Sequence, residues 1–178
     1  VVIKELFIAG CGRRDNAVTE QALPKDNFEA AKRRFLDEAE TLRRFKRPDI
    51  VRVFDYFDEN NTVYYVMTYI NGITIKELIN KQPDKRLSLS ASLHYIKQVL
   101  EALSEVHRQG ILHRDVKPDN IMVTPNDGIV LIDFGNARQY VDDLKLTQTV
   151  MISHGYAPPE QYSESHRRGA YTDIYGIG

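Results

Sequence analysis

Residues 111–120, "ILHRDVKPDN", place His113, Arg114, Asp115, Lys117, Asp119 and Asn120 between two apolar pairs, so the polar groups share one loop between short strands. Asp115 and Asn120 lie five apart, which allows both side chains to face one side of that loop. An aspartate is a fitting acceptor for a hydroxyl proton, and an asparagine carbonyl is a hard oxygen ligand suited to Mg²⁺. Lys117 can reach a phosphate as a point charge. Asp133 in "LIDFGNAR" supplies a second acid for a metal, and Gly135 is expected to let the chain turn sharply there. Lys4 in "VVIKE" sits on an apolar stretch, where its charge needs a partner. Glu38, on the core-facing side of a helix, can be that partner. A proton acceptor, cations for phosphates and oxygen ligands for a metal are what phosphoryl transfer from a nucleotide requires.

The elements that must position these groups follow from hydrophobic period and turn residues. Residues 1–8 are expected to form a buried strand and residues 9–26 a long loop. Asn27 is expected to cap a helix whose apolar face is Phe28, Ala31, Phe35, Ala39, Leu42 and Phe45, with Pro48 beyond its end. "IVRVFDYF" and "TVYYVMTYI" read as strands joined by a "DENN" hairpin loop. Gly72 breaks the second strand, and "TIKELINK" is expected to be a short helix. A long helix over residues 90–109 carries Leu93, Ile96, Leu100, Leu103 and Val106 and closes at Gly110. Short strands at 111, 121 and 129 follow, the last two joined by "TPNDG". This order predicts a small strand-rich lobe and a larger helical lobe, joined near residues 68–72.

Composition narrows the functional classes. A net charge of −1 gives no global field for nucleic acid or an anionic membrane. The single cysteine, Cys11, excludes an internal disulfide and suits a reducing compartment, hence a cytoplasmic catalytic domain. No apolar run is long enough to span a bilayer. The basic runs "AKRRF" and "RRFKR" read as a solvated helix face. "GCG" at 10–12 lacks a phosphate-loop pattern, and the histidines show no metal-ligand spacing. The chain opens in mid-strand and stops inside an apolar pattern, which suggests part of a larger domain.

"VVIK", "HRDVKPDN", "DFG" and "APPE", in this order, resemble the signature set of the eukaryotic-type (Hanks-type) serine/threonine protein kinases. The resemblance runs over essentially the whole chain. It implies an α+β, bilobal protein-kinase-like fold, with a partial β-rich N-lobe (1–67), a hinge (68–72) and a partial helical C-lobe (73–178). It implies ATP and Mg²⁺, with Mn²⁺ as a substitute, and transfer of the γ-phosphate to protein Ser/Thr hydroxyls. By the same resemblance Lys4 holds the α- and β-phosphates and pairs with Glu38, and Asp115 is the catalytic base. Lys117 steadies the transferred phosphate, while Asn120 and Asp133 hold the metal. Val2 and Met122 would sandwich adenine, Met67 would be the gatekeeper, and Thr68, Tyr69 and Ile70 would offer hinge backbone groups. Leu42, Val53, His113 and Phe134 match the apolar spine, and Asp173 matches the helix aspartate that braces the catalytic loop.

Regulation is implied as well. Arg114 beside Asp115 and Arg138 match basic contacts for a phosphorylated activation loop. Thr149, then Thr147, match the phosphosites, and Ser153 matches the hydroxyl that contacts the catalytic aspartate. Trans-autophosphorylation would use a dimer. The glycine-rich lid that precedes the lysine in this family, and the arginine partner of Glu160, would lie outside the chain. Two rivals share the motifs: a pseudokinase that binds nucleotide or a partner without turnover, and a small-molecule kinase of related fold. The segment 133–160 with "APPE" speaks against the second.

Overall fold

The structure, a computed structural model, describes residues 1–19, 24–135, 137–139, 155–162 and 169–177. The chain divides into two compact units, Val1–Tyr69 and Ile70–Gly178.

In the first unit, β1 (Val2–Glu5), β4 (Val53–Glu59) and β5 (Thr62–Met67) form an antiparallel sheet in the order β1-β5-β4. Helix α1 (Lys25–Arg43) buries Phe28, Phe35, Ala39 and Leu42. Phe35 packs against Tyr65 of β5 with ring centroids 4.8 Å apart. The strand expected over residues 1–8 is shorter, and as an edge strand it is half-exposed, with Ile3 57% accessible. The expected long loop contains a hairpin instead, β2 (Gly12–Arg14) paired with β3 (Ala17–Thr19). Asp15 turns it with a left-handed φ of 52°, a conformation that Asp tolerates better than most residues. Val18, buried, anchors this hairpin by donating its N–H to Asn60 O and accepting from Asn61 Nδ2.

Three further expectations change in this unit. Asn27 does not cap α1: the cap stands three residues earlier at Pro24, whose ring fixes φ at −57° and which makes no side-chain capping bond. The β4–β5 loop is two residues, not four, because Asn60 and Asn61 both take positive φ (53° and 58°), the pattern of a type I′ turn. Asp58 and Glu59 therefore pair in the ladder, opposite Val63 and Thr62. Lys32, from the supposedly solvated basic run, is buried over the Phe28 ring and near Glu29 and Asp58.

The second unit begins with β6 (Ile73–Thr74) and α2 (Ile75–Lys81). A capping box starts α2: Glu77 N–H donates to Thr74 Oγ1 (3.1 Å), and Thr74 N–H donates to Glu77 Oε2 (2.8 Å). The Thr74 N–H, and then its hydroxyl, hold the Glu77 carboxyl below the usual carboxylate range. Helix α3 (Leu89–Arg108) is capped by Ser88 and followed by Gly110 at φ 72°. Next come β7 (Ile111–Leu112), β8 (Ile121–Val123), β9 (Ile129–Leu131), β10 (Arg138–Gln139) and α4 (Ala170–Tyr175). The strands form a β6-β8-β9 sheet and a β7-β10 pair.

The buried face of α3 is Tyr95, Val99, Ala102, Leu103 and Val106, whereas Leu93 and Leu100 are exposed. Polar ties fix that rotation. Tyr95 OH donates to Asp127 Oδ1 (2.6 Å), an acceptor that raises the phenol to about 12, and Gln98 Oε1 accepts from Ile129 N–H (3.2 Å). Among the described residues no helix is long and apolar enough to cross a membrane.

Gly72 is required by close approach: a Cβ there would lie 2.3 Å from Val123 O in β8. Gly72→Ala is expected to destabilise the second unit by about 1–3 kcal/mol, read as a lower denaturant midpoint. The lowered Glu77 value fixes a sign for pH. Its contribution to α2 is present above the ordinary carboxylate pKa and is lost as pH falls through the lowered folded value. Amide protection in α2 should therefore fall on acidification in the wild type, and a Glu77→Gln variant should lack this acid-side step.

Candidate active site

The loop 113–117 begins directly after β7, and its backbone is fixed by a carboxylate sixty residues away. Asp173 of α4, 1% exposed, accepts from His113 N–H (2.9 Å) on Oδ2 and from Arg114 N–H (2.6 Å) on Oδ1. His107 Nε2, near the end of α3, lies 2.7 Å from the same Oδ2. A buried carboxylate is tolerated only with such partners, and here three donors converge on it. They hold Arg114 at φ 65°, which costs a non-glycine residue on the order of 1–3 kcal/mol. The Arg114 carbonyl accepts from Gln161 Nε2 (2.8 Å), in the 3-10 turn Pro159–Tyr162. Val116 is pressed from behind by Gly176, where a Cβ would meet Val116 O at 2.4 Å.

His113 is fully buried against Phe134, with ring centroids 4.4 Å apart. Its Nδ1 accepts from Asp115 N–H (3.3 Å), and its Nε2 lies 3.2 Å from Ile132 O. Both ring nitrogens are committed to backbone, so this imidazole braces the loop.

Asp115, Lys117 and Asn120 are brought together on one oxygen. Lys117 Nζ donates to Asp115 Oδ2 (2.8 Å), and Asn120 Nδ2 donates to the same oxygen (2.9 Å) and to Asp115 O (2.8 Å). The Asn120 amide nitrogen is thus committed to Asp115. Ile132 N–H donates to Asn120 O (3.0 Å), so Asn120 and Asp133 flank one rung of the β8–β9 ladder. The sharp turn falls on Asp133 itself (φ 59°), not on Gly135, whose N–H reaches Asp133 Oδ1 at 3.4 Å. One amide oxygen and one exposed carboxylate suit a hard divalent ion that takes its other oxygens from water and phosphates. Among the described residues no group of three His, Cys, Asp or Glu could hold a metal alone. Beside this set, Lys76 of α2 donates to Asp119 (2.8 Å), whose carboxylate raises the Lys76 pKa.

In the first unit, Lys4 Nζ donates to Glu38 Oε1 (3.1 Å), and Tyr65 OH donates to the same oxygen (2.9 Å). The ammonium also lies over the Phe35 and Tyr65 rings, at 5.8 and 5.3 Å. Val2 and Met67 are paired across β1 and β5, both half-buried. Thr68 donates its N–H to Arg52 O (2.9 Å), Tyr69 is exposed and Ile70 half-buried. In the second unit Met122 is half-buried between Thr74 and Val130 in the sheet. Leu42 and Val53 are buried in the first unit.

Arg138 pairs with Leu112 through the β10–β7 backbone. Thr147, Thr149 and Ser153 lie outside the described residues. Glu160 accepts from Thr172 Oγ1 (3.1 Å). Nothing in the sequence marked Tyr65, Gln161 or His107 as a partner of these groups. Each acts across 27 to 66 positions of chain, and no local spacing marks such partners. Replacing Asp173 by Asn puts an N–H₂ against one of two buried N–H donors. The expected loss is about 2–3 kcal/mol of stability, with faster amide exchange at His113 and Arg114.

The protein kinase domain family model matches residues 13–178, so Lys4 stands on its own geometry. Serine/threonine-protein kinase PknA of Mycobacterium tuberculosis is 36% identical over 82% of the chain and 34% of its own length. PknB of Mycobacterium leprae is 31% identical over 82% of the chain and 24% of its own length. The solved structure of PpkA-294 in its apo form superposes with a TM-score of 0.82 at 31% identity, covering 98% of this chain and 62% of that one. The chain spans between 22% and 34% of the length of the first curated relatives. The chain thus has the protein kinase fold and belongs to the protein kinase domain family.

Proposed function

We propose that this chain is the catalytic part of a bacterial-type serine/threonine protein kinase, acting in the cytoplasm, that transfers the γ-phosphate of ATP to protein hydroxyls. The observation that carries this is the convergence of Lys117 and Asn120 on Asp115 Oδ2, on a loop pinned by Asp173. Asp115 accepts the proton of the attacking serine or threonine hydroxyl. Lys117, already beside that carboxylate, neutralises the phosphoryl oxygens as charge builds on them. Asn120 and Asp133 would hold Mg²⁺, or Mn²⁺ in its place, which offsets phosphate charge when bound. Lys4, set by Glu38, is assigned the α- and β-phosphates. Val2, Met67, Thr68, Tyr69, Ile70 and Met122 are assigned to adenine.

Control by phosphorylation of Thr149, with Thr147 as second site, Ser153 near the base and Arg114 and Arg138 as phosphate contacts, belongs to this proposal. So does a dimer for trans-autophosphorylation. The full-length protein is tested by intact mass after incubation with Mg-ATP and a general protein substrate. Phosphate transfer is expected in the wild type and a loss of at least ~10³-fold in Asp115→Asn, since the amide accepts no proton. Wild-type transfer that survives in Asp115→Asn overturns the assignment of the base, and no transfer by the wild type overturns the kinase reading.

A further inference from the structure

We propose that Gln161 is a positioning residue for Asp115: its buried side-chain amide holds one end of the peptide plane from which the base projects. This rests on the reading of Asp115 as the base. The peptide unit joining Arg114 to Asp115 is planar, so its orientation sets where the Asp115 Cα and side chain point. That plane is gripped at both ends. Its carbonyl, Arg114 O, accepts from Gln161 Nε2 (2.8 Å), and its N–H, from Asp115, donates to His113 Nδ1 (3.3 Å). The preceding plane is held by Asp173 through Arg114 N–H (2.6 Å).

Between the two planes sits Arg114 at φ 65°. A non-glycine residue keeps that conformation only where its surroundings over-determine it, and the Gln161 bond is one of the constraints that do so. Gln161 is suited to the task. It is 4% exposed, and its own N–H donates to Pro158 O (2.9 Å). It projects from a 3-10 turn that opens at Pro159, a residue whose φ is fixed by its ring. The amide is thus presented from a stiff segment 47 residues further along the chain. Without it a buried carbonyl loses its donor, and turning the plane to find another partner swings Asp115 away from Lys117 and Asn120.

The test uses the full-length protein with Gln161→Met, which keeps length but donates nothing, and Gln161→Glu, which donates only when protonated. Each is measured for kcat, KM for ATP, global unfolding and amide exchange over residues 113–116. In Gln161→Met, kcat is expected to fall about ten-fold with KM for ATP unchanged, and the loop amides to exchange faster by more than the lowered unfolding midpoint accounts for. Gln161→Glu should match Gln161→Met at about pH 8. It should recover toward the wild type at about pH 6, because a buried carboxyl facing a carbonyl takes up a proton.

Wild-type kcat and exchange in Gln161→Met would overturn the proposal. If Gln161→Met does not fold, the Glu variant decides alone, and a ratio to wild type that stays flat across pH overturns it. If the wild type transfers no phosphate, the kinase reading falls by itself. Loop exchange in Gln161→Met then decides whether Gln161 fixes the plane.

Discussion

A buried carboxylate governs the second unit. Asp173 is almost wholly excluded from water, and an aspartate so placed must either find donors or lose its charge. It finds two backbone N–H groups in the loop 113–117 and the His107 imidazole at the end of α3. Charge-assisted bonds of this kind are short and directional, so they specify the path of the loop as well as stabilising it. The strained turn at Arg114, the burial of His113 and the placing of Asp115 beside Lys117 and Asn120 all depend on that path. Remove the charge and the loop keeps its sequence but not the reason for its shape.

Lys4 in the first unit and Lys117 in the second each pair with a carboxylate, but their surroundings differ. Glu38 is the buried member of its pair, 5% exposed against 36% for Lys4, and Tyr65 adds a second donor to the same oxygen. The carboxylate is the buried anchor, and the more exposed ammonium lies over the Phe35 and Tyr65 rings. Lys117 and Asp115 are both largely covered, at 22% and 9%, and the amide of Asn120 shares their acceptor oxygen. A charge pair desolvated to that degree is favourable only with such additional bonds. This explains why an asparagine stands five residues after the aspartate instead of a third charged group.

The grouping of Asp115, Lys117 and Asn120 was legible in the sequence because the three lie on one loop. The helices and most strands were legible from their periods. What was missed has two sources. The hairpin at residues 12–19 and the tight Asn60–Asn61 turn rest on single residues with left-handed backbone, whose signal is one dipeptide long. At "DFG" the same conformation falls on Asp133, where the glycine was the natural choice. The rotation of α3 and the burial of Lys32 are tertiary. Tyr95 is turned inward by Asp127, 32 positions later, and Lys32 is drawn over Phe28 toward a strand that follows the helix. An apolar period gives equal weight to Leu93 and Leu103, and only the partner decides which is buried.

The same logic bears on how the base is made reliable. Within residues 113–117 the Asp115 N–H bond to His113 is local, but it works against a positive φ that arginine disfavours. The conformation is imposed from outside by Asp173 on the N–H side, by Gln161 on the carbonyl side, and by the bare face of Gly176 against Val116. All three come from residues 155–177, so the segment that carries the base and the segment that shapes it are far apart in sequence. Closing such long loops is entropically costly and is recovered only when several bonds form together. The geometry of Asp115 is therefore coupled to the packing of that later segment, and each of the three contacts removes a different freedom of the loop.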